Sequence, residues 1–270
     1  MEVSATLLFD HPSASSISSY LALNLEAVGV SLEFDVSPRP PQTTELSVGT
    51  KEQENEGPPI LMSRETDGVM LLSYNRPQKN NAFDAAVSGA LIATLTMITE
   101  DRSILAVVIT GRGAYFCTAA KFDEMLRPAC PLELCASLAT GFVALFASFL
   151  NLSKPIVAAV NGAAFGGGVT QATLCDSAVS SGHAKYSLPF SRWRVSPEGC
   201  SSVHLARVVG QKVALRMLVD GWIPNSREAW MINLASTVIE NDSALVNSAK
   251  DTALGFHFDG HCRSFSILEC

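Results

Sequence analysis

The chain has 270 residues, 47% of them hydrophobic and 17% charged, enough to bury the core of one fair-sized domain plus an appendage. A net charge of -7, with no run of basic residues, argues against a nucleic-acid surface, and an anionic ligand would need a local basic site. The seven cysteines lie scattered without C-x-x-C pairs or partnering histidines, which fits reduced, mostly buried thiols rather than disulfides or zinc; Cys262 and Cys270, in a polar tail, stand apart.

The opening stretch, "MEVSATLLFDHP", carries an early Glu and Asp and no Arg, unlike a secretory or transit peptide, and the closing "ILEC" is not the peroxisomal tripeptide. No apolar run reaches membrane-spanning length, since "FVALFASFL" (Phe142 to Leu150) is too short. The expectation is an intracellular protein with no membrane span. "ATLLFDHP" reads as a short strand, "SISSYLALNLEAVGV" as a helix ending at Gly29, and "SLEFDVS" as a second strand. Residues 1–36 are therefore expected to form a small βαβ appendage, too small to bury a core alone. It faintly resembles the start of a glutathione-transferase-type thioredoxin fold. Residues 37–58, rich in Pro, Glu, Gln and Thr and poor in large apolar residues, read as a flexible linker.

From residue 59 to 270 the chain reads as one domain. "ILMSRETDGVMLLSYN" predicts a hairpin around Asp67-Gly68, and "FDAAVSGALIATLTMITED" an amphipathic helix. "ILAVVITG" is a fully buried strand, followed by the Gly- and Ala-rich loop "GRGAYFCTAAKF" and a long helix from Pro131 to Leu152. "PIVAAVNG" is a second buried strand; the helix "FGGGVTQATLC" and the strands "DSAVSS" and "AKYSLP" come next. Short hydrophobic strands alternating with helices predict an α/β fold with both sheet faces covered.

Two loops, "GRGAYFCTAA" and "NGAAFGGGV", follow buried strands and run into helices, so backbone N–H groups gather at strand ends beside helix N-termini. Neither is a P-loop or a dinucleotide fingerprint, because G-K-[ST] and the G-x-G-x-x-G spacing are absent. The glycines also serve close helix–strand packing. "SPEGCSS", Ser196 to Ser202, has the form of a helix start: Ser196 as N-cap, Pro197 at the first helical position, Glu198 in the first turn. A helix dipole there would lower the Glu198 pKa, whereas a base working near neutral pH needs it raised by burial, which Phe190, Trp193 and Val195 would supply.

Three further stretches, "NRPQKNNAF", "ITGRGAYFCTAAKF" and "SKPIVAAVNGAAFGGGV", resemble the crotonase superfamily of acyl-CoA enzymes, in this order and from about Pro59 to Thr237. The resemblance implies a crotonase-like α/β spiral of ββα units with a helical C-terminal region. It implies a fatty acyl-CoA thioester as substrate, bound with its carbonyl oxygen between two backbone amides. Phe116 to Lys121 stands where the family has F-[SC]-x-G-x-D, so Ala120 matches one donor, and Gly167, in the glycine run, matches the other. Two amides aimed at one oxygen favour an enolate over the ground-state carbonyl. Ala119 and Lys121 replace the family's Gly and Asp; a lysine there can approach ligand phosphates. Ala82, Lys121, Phe122 and Phe190 are the expected acyl or CoA pocket residues.

Family hydratases use two glutamates, and at the matching positions this chain has Thr170 and Phe190, which cannot activate water. "PFSRWRVSPEGCSS" instead resembles the Δ3,Δ2-enoyl-CoA isomerase branch, in which one glutamate moves a proton; Glu198 takes that role here. No metal or redox cofactor is implied, and CoA enters as part of the substrate. The resemblance also implies a homo-oligomer, trimer or hexamer, in peroxisome or mitochondrion. Two other readings remain: a non-catalytic acyl-CoA-binding or protein-interaction module, as in the crotonase-like domain of chromodomain Y-like proteins, and an enoyl-CoA hydratase. After "STVIENDSALVNSAKDTA" the family's closing helices are expected to be missing, because "LGFHFDGHCRSFSILEC" has no helical period. His183 and His204 lack a nucleophile elbow, and Cys117 lacks a histidine to activate it. Asp123 and Glu124 read as a first helical turn, with Met125 and Leu126 in the core or the acyl wall.

Overall fold

The computed structural model describes residues 57–65, 67–118, 131–193 and 195–259, with the side chains of 131–140 and of Trp193 excepted. The appendage expected over 1–36, almost all of the linker, the run from Ala120, Lys121 and Phe122 to Leu126, and the tail cysteines lie outside the described residues.

The hairpin forms as read. Strands β1 (Ile60–Arg64) and β2 (Val69–Tyr74) are antiparallel, with Ile60 opposite Tyr74 and Arg64 opposite Met70. Gly68 turns the chain with φ at 82°, where a side chain would be strained. Helix α1 (Ala85–Glu100) follows, capped by the Asp84 carboxylate accepting from the Val87 amide. It carries the chain over to β3 (Ala106–Gly111), which pairs in parallel with β2.

β5 (Ile156–Val160), β7 (Ser177–Ser181) and β9 (Thr237–Ile239) extend this sheet in the order β1-β2-β3-β5-β7-β9, parallel from β2 onward. Every residue of β5, and every residue of β3 but Gly111, is buried. Both faces are covered, so the strands read as unbroken apolar runs.

Besides β9, two short strands escape the sequence reading: β4 (Tyr115–Cys117) and β6 (Ala163–Phe165). With β8 (Tyr186–Ser187) they form a second, parallel sheet in the order β4-β6-β8. Three residues inside a Gly/Ala-rich loop are too few to show a period, and pairing between turns of the chain makes them strands. Each of β3, β5 and β7 is thus followed by a strand of the small sheet and then by a helix: α2 (Pro131–Leu150) after β4, α3 (Gly167–Leu174) after β6 and one short helix after β8. This is the ββα spiral that the resemblance implies.

Helices α4 (Phe190–Trp193), α5 (His204–Val209), α6 (Gln211–Leu218) and α7 (Ser226–Met231) follow β8. α8 (Asp242–Phe258) runs through Leu254 to Phe258, so the helix continues into the stretch read as lacking a helical period. Leu245, Ala249 and Ala253, spaced by four, pack on Val69, Ala106, Val108, Val157, Ala159 and Val179 of the large sheet. Small residues at the contact let helix and sheet approach, and the buried face supplies what the sequence period does not advertise.

The helix start expected at Ser196 does not form. Residues 195–198 have no regular structure, 199–203 make a turn, and α5 opens only at His204. Gly199 and Cys200 both take positive φ, 61° and 66°, which no right-handed helix accommodates.

Candidate active site

The scaffold of the site is the segment "NRPQKNNAF" seated on the loop after β3. Asn81, 1% exposed, donates through Nδ2 to the carbonyls of Arg112 (2.9 Å) and Tyr115 (2.7 Å), and its Oδ1 accepts from the Arg76 amide (3.0 Å). Asn161, at the end of β5, accepts from the Gly111 amide (3.0 Å) and donates to the Gly113 carbonyl (2.9 Å). Two asparagines thereby tie the loops after successive strands to one another. Thr118 then donates to the Asn80 carbonyl (2.9 Å), fixing the chain just ahead of the stretch that contains Ala120.

Gly167 and Gly168 open α3, and their neighbours leave no room for side chains. A methyl group at Gly168 would lie 2.2 Å from the Cys117 carbonyl oxygen, so β4 and the first turn of α3 meet backbone to backbone. A methyl group at Gly167 would lie 2.7 Å from Cζ of Phe83 and 3.3 Å from Oε1 of Glu198. The two residues singled out independently in the sequence, Gly167 as an amide donor and Glu198 as an acid–base group, are therefore neighbours.

Glu198 reaches this position from the left-handed turn, not from a helix. Its carbonyl accepts from the Ser201 hydroxyl (2.6 Å) and amide (3.1 Å), and the Cys200 carbonyl accepts from the His204 amide (2.7 Å). His204, 7% exposed, donates from Nε2 to the Thr173 carbonyl (2.8 Å), which pins α5 to the end of α3. The turn that carries Glu198 is not a helix start, and burial pushes the pKa of the carboxyl up to about 7. Of the residues expected to desolvate it, Val195 is 36% exposed and the Trp193 side chain is outside the described residues.

Phenyl rings stand close by. Phe83 touches the Gly167 position; Phe142 meets Phe83 edge-on at 5.8 Å, and Phe146 stacks on Phe142 at 6.2 Å. Phe146 closes the far side, where a methyl group at Gly199 would lie 2.6 Å from its Cζ and 2.5 Å from Cγ2 of Thr170. Thr170 is 1% exposed and donates to the Gly166 carbonyl (3.3 Å).

Ala82 is half-buried, its amide bonded to the Lys79 carbonyl (3.0 Å), and Phe190 is buried at the start of α4. His183 lies elsewhere, exposed and 3.7 Å from Asp242, and Cys117 is buried. Sequence reasoning misses the aromatic row, although Phe142 and Phe146 are spaced for one helix face. Among the described residues, no group of three or more His, Cys, Asp or Glu is placed to hold a metal ion, and no helix is long and apolar enough to cross a membrane.

The spiral of paired strands is the fold of the crotonase class. A family profile described as Enoyl-CoA hydratase/isomerase matches residues 64–253, and the chain belongs to that family. Similar proteins include the 2,3-dehydroadipyl-CoA hydratase of Escherichia coli (strain K12), 33% identical over 186 residues that make 69% of this chain and 71% of the relative. The peroxisomal enoyl-CoA delta isomerase 3 of Mus musculus is 31% identical over 191 residues, 70% of this chain and 60% of the relative. The chain thus spans three fifths of that isomerase's length. The crystal structure of an enoyl-CoA hydratase/isomerase from Pseudoalteromonas atlantica T6c superposes with a TM-score of 0.66 at 29% identity, covering 74% of this chain and 76% of that one.

Proposed function

We propose that the protein is an enoyl-CoA isomerase that converts a 3-enoyl-CoA into the 2-enoyl-CoA, with Glu198 as its acid–base group. The observation that carries this reading is a half-buried carboxylate, its pKa pushed up to about 7 by desolvation, bordering Gly167. The Glu198 carboxylate removes a proton from C2 of the thioester. The electron pair spreads into a dienolate whose oxygen accepts from the amides of Gly167 and Ala120, and the protonated Glu198 returns the same proton to C4. The double bond moves and no water is consumed. Near neutral pH such a group holds and releases a proton with similar ease, as a shuttle requires.

Thr170 supports isomerisation over hydration. It stands where the family's hydratases place a glutamate, its side chain packed against Gly199, and a threonine there cannot activate water. Hydration is the second reading, favoured by the hydratase among the relatives.

The test incubates purified protein with 3-enoyl-CoA and, separately, with 2-enoyl-CoA, beside Glu198→Gln. Isomerisation predicts turnover of the first substrate and its loss in the variant, by at least about 100-fold. Hydration of the second substrate, or CoA-thioester binding with no turnover in either protein, would replace the reading by a hydratase or a binding module.

A further inference from the structure

The row Phe83–Phe142–Phe146 spans both glycines that flank the Glu198 carboxylate. Phe83, 2% exposed, crowds Gly167 where Oε1 of Glu198 also arrives, and Phe146, 4% exposed, crowds Gly199 in the left-handed turn. Phe142, half-buried, bridges the two by an edge-on contact and a stacked one. The ring of Phe146 and the methyl of Thr170 meet at the one point a side chain at position 199 would need. Position 199 therefore has no room for a side chain while the ring is in place, and the ring packs directly on the residue after Glu198.

We propose that Phe146 is a positioning residue for Glu198: its ring, wedged against Gly199, sets the direction in which the carboxylate leaves its turn, and with Phe83 it walls that carboxylate off from water. The role rests on Glu198 being the acid–base group, and it adds a residue from α2 that touches no reacting atom.

Among the described residues the packed elements bring few charged side chains, and the first turn of α3 adjoins the carboxyl. α3 brings only uncharged polar side chains, Thr170, Gln171 and Thr173, and the part of α2 from Gly141 to Leu150 carries no titratable group. The Phe83 segment contributes Asp84, which is taken up by Arg76 and the Val87 amide. β4 contributes the buried Cys117, and the turn itself Cys200. Burial is accordingly what holds the Glu198 carboxyl protonated up to about pH 7, and the ring is part of that burial.

The experiment compares the full chain with Phe146→Ala and Phe146→Leu. Carboxyl-13C-glutamate NMR follows the titration of Glu198, its resonance assigned by Glu198→Gln. Parallel kinetics with 3-enoyl-CoA give kcat and KM from pH 5 to 9. In Phe146→Ala water reaches the carboxylate: its midpoint is expected to fall by about one pH unit or more toward the ordinary glutamate value. kcat is expected to drop about tenfold while KM changes less than about threefold. Phe146→Leu, which keeps the core filled but loses the ring, is expected to move both quantities in the same direction by about half as much in logarithmic terms. If Phe146→Ala does not fold, Phe146→Leu decides alone. A Glu198 midpoint unchanged in the folded variants overturns the proposal, as does a rise in KM with kcat held, which would make the ring a substrate wall. The NMR titration needs no turnover, so absence of isomerase activity in the unmodified protein would sink the proposed reaction while leaving the role of Phe146 separately decided.

Discussion

Glu198→Gln should make the protein more stable at neutral and alkaline pH while abolishing its chemistry. The carboxyl has a pKa of about 7 in the fold against an ordinary 4.5, so the folded state holds the proton more tightly than the unfolded chain. Stability from this group is fully present below pH 4.5, where both states are protonated. It is lost as pH rises from 4.5 to about 7, because the unfolded chain ionises first, and it changes no further above that. At about 1.4 kcal/mol per pH unit, the difference amounts to about 3 kcal/mol, an upper bound for a side chain that is not wholly buried. A glutamine side chain has no such ionisation, so the stability of the variant relative to the parent should climb by up to about 3 kcal/mol across that window. Urea unfolding of both proteins at half-unit steps from about pH 4 to 8.5 measures it. Groups whose pKa is lowered in the fold, such as Glu65 by its hydrogen bond from Lys250 and Asp101 by hydrogen bonds from Ser103, act equally in both proteins and cancel in the difference. A gap between the two curves that stays constant over the whole range would mean that the carboxylate ionises in the fold as it does in water. The case for a base tuned by burial would then be lost.

Gly167→Ala places a methyl group against Phe83 and within 3.3 Å of Glu198 Oε1; turnover is expected to fall by about 100-fold or more, with a stability loss of about 1–3 kcal/mol. Steady-state kinetics and urea melts of the same preparation check the two parts. Asn81→Ala removes the donors to the Arg112 and Tyr115 carbonyls and the acceptor for the Arg76 amide. It should cost about 2–4 kcal/mol, read as a lower urea midpoint with an unchanged slope.

The large-sheet strands up to β7, the hairpin and the helices of the first two turns are legible in the sequence because each is long enough to show its period or its unbroken apolar run. Val107 to Ile109 and Ile156 to Val160 could hardly be anything but interior parallel strands. β4 and β6 are not legible, since their strand character comes from partners some 50 residues away in sequence and not from local preference. Glu198 stands out in the sequence but in the wrong local structure: Ser-Pro-Glu is a strong helix-start pattern, but Gly199 and Cys200 divert the chain into the left-handed region, and nothing in Cys200 signals that. The desolvating rings escape a linear reading because they come from two other segments, one after the Asn81 motif and one on α2. The helical end of α8 is hidden because alanines that fit against a sheet leave only a faint amphipathic trace.

The backbone contact between Gly168 and Cys117 joins one turn of the spiral to the next. In the proposed reaction the cradle for the carbonyl oxygen would be made of main chain, whereas Glu198 hangs from a separate, irregular excursion after β8. Mutation can swap the reactive side chain, or relocate it, without dismantling the electrophilic half of the apparatus. A lineage built on this plan can diversify its chemistry with few changes, as the hydratase and isomerase names among the relatives attest.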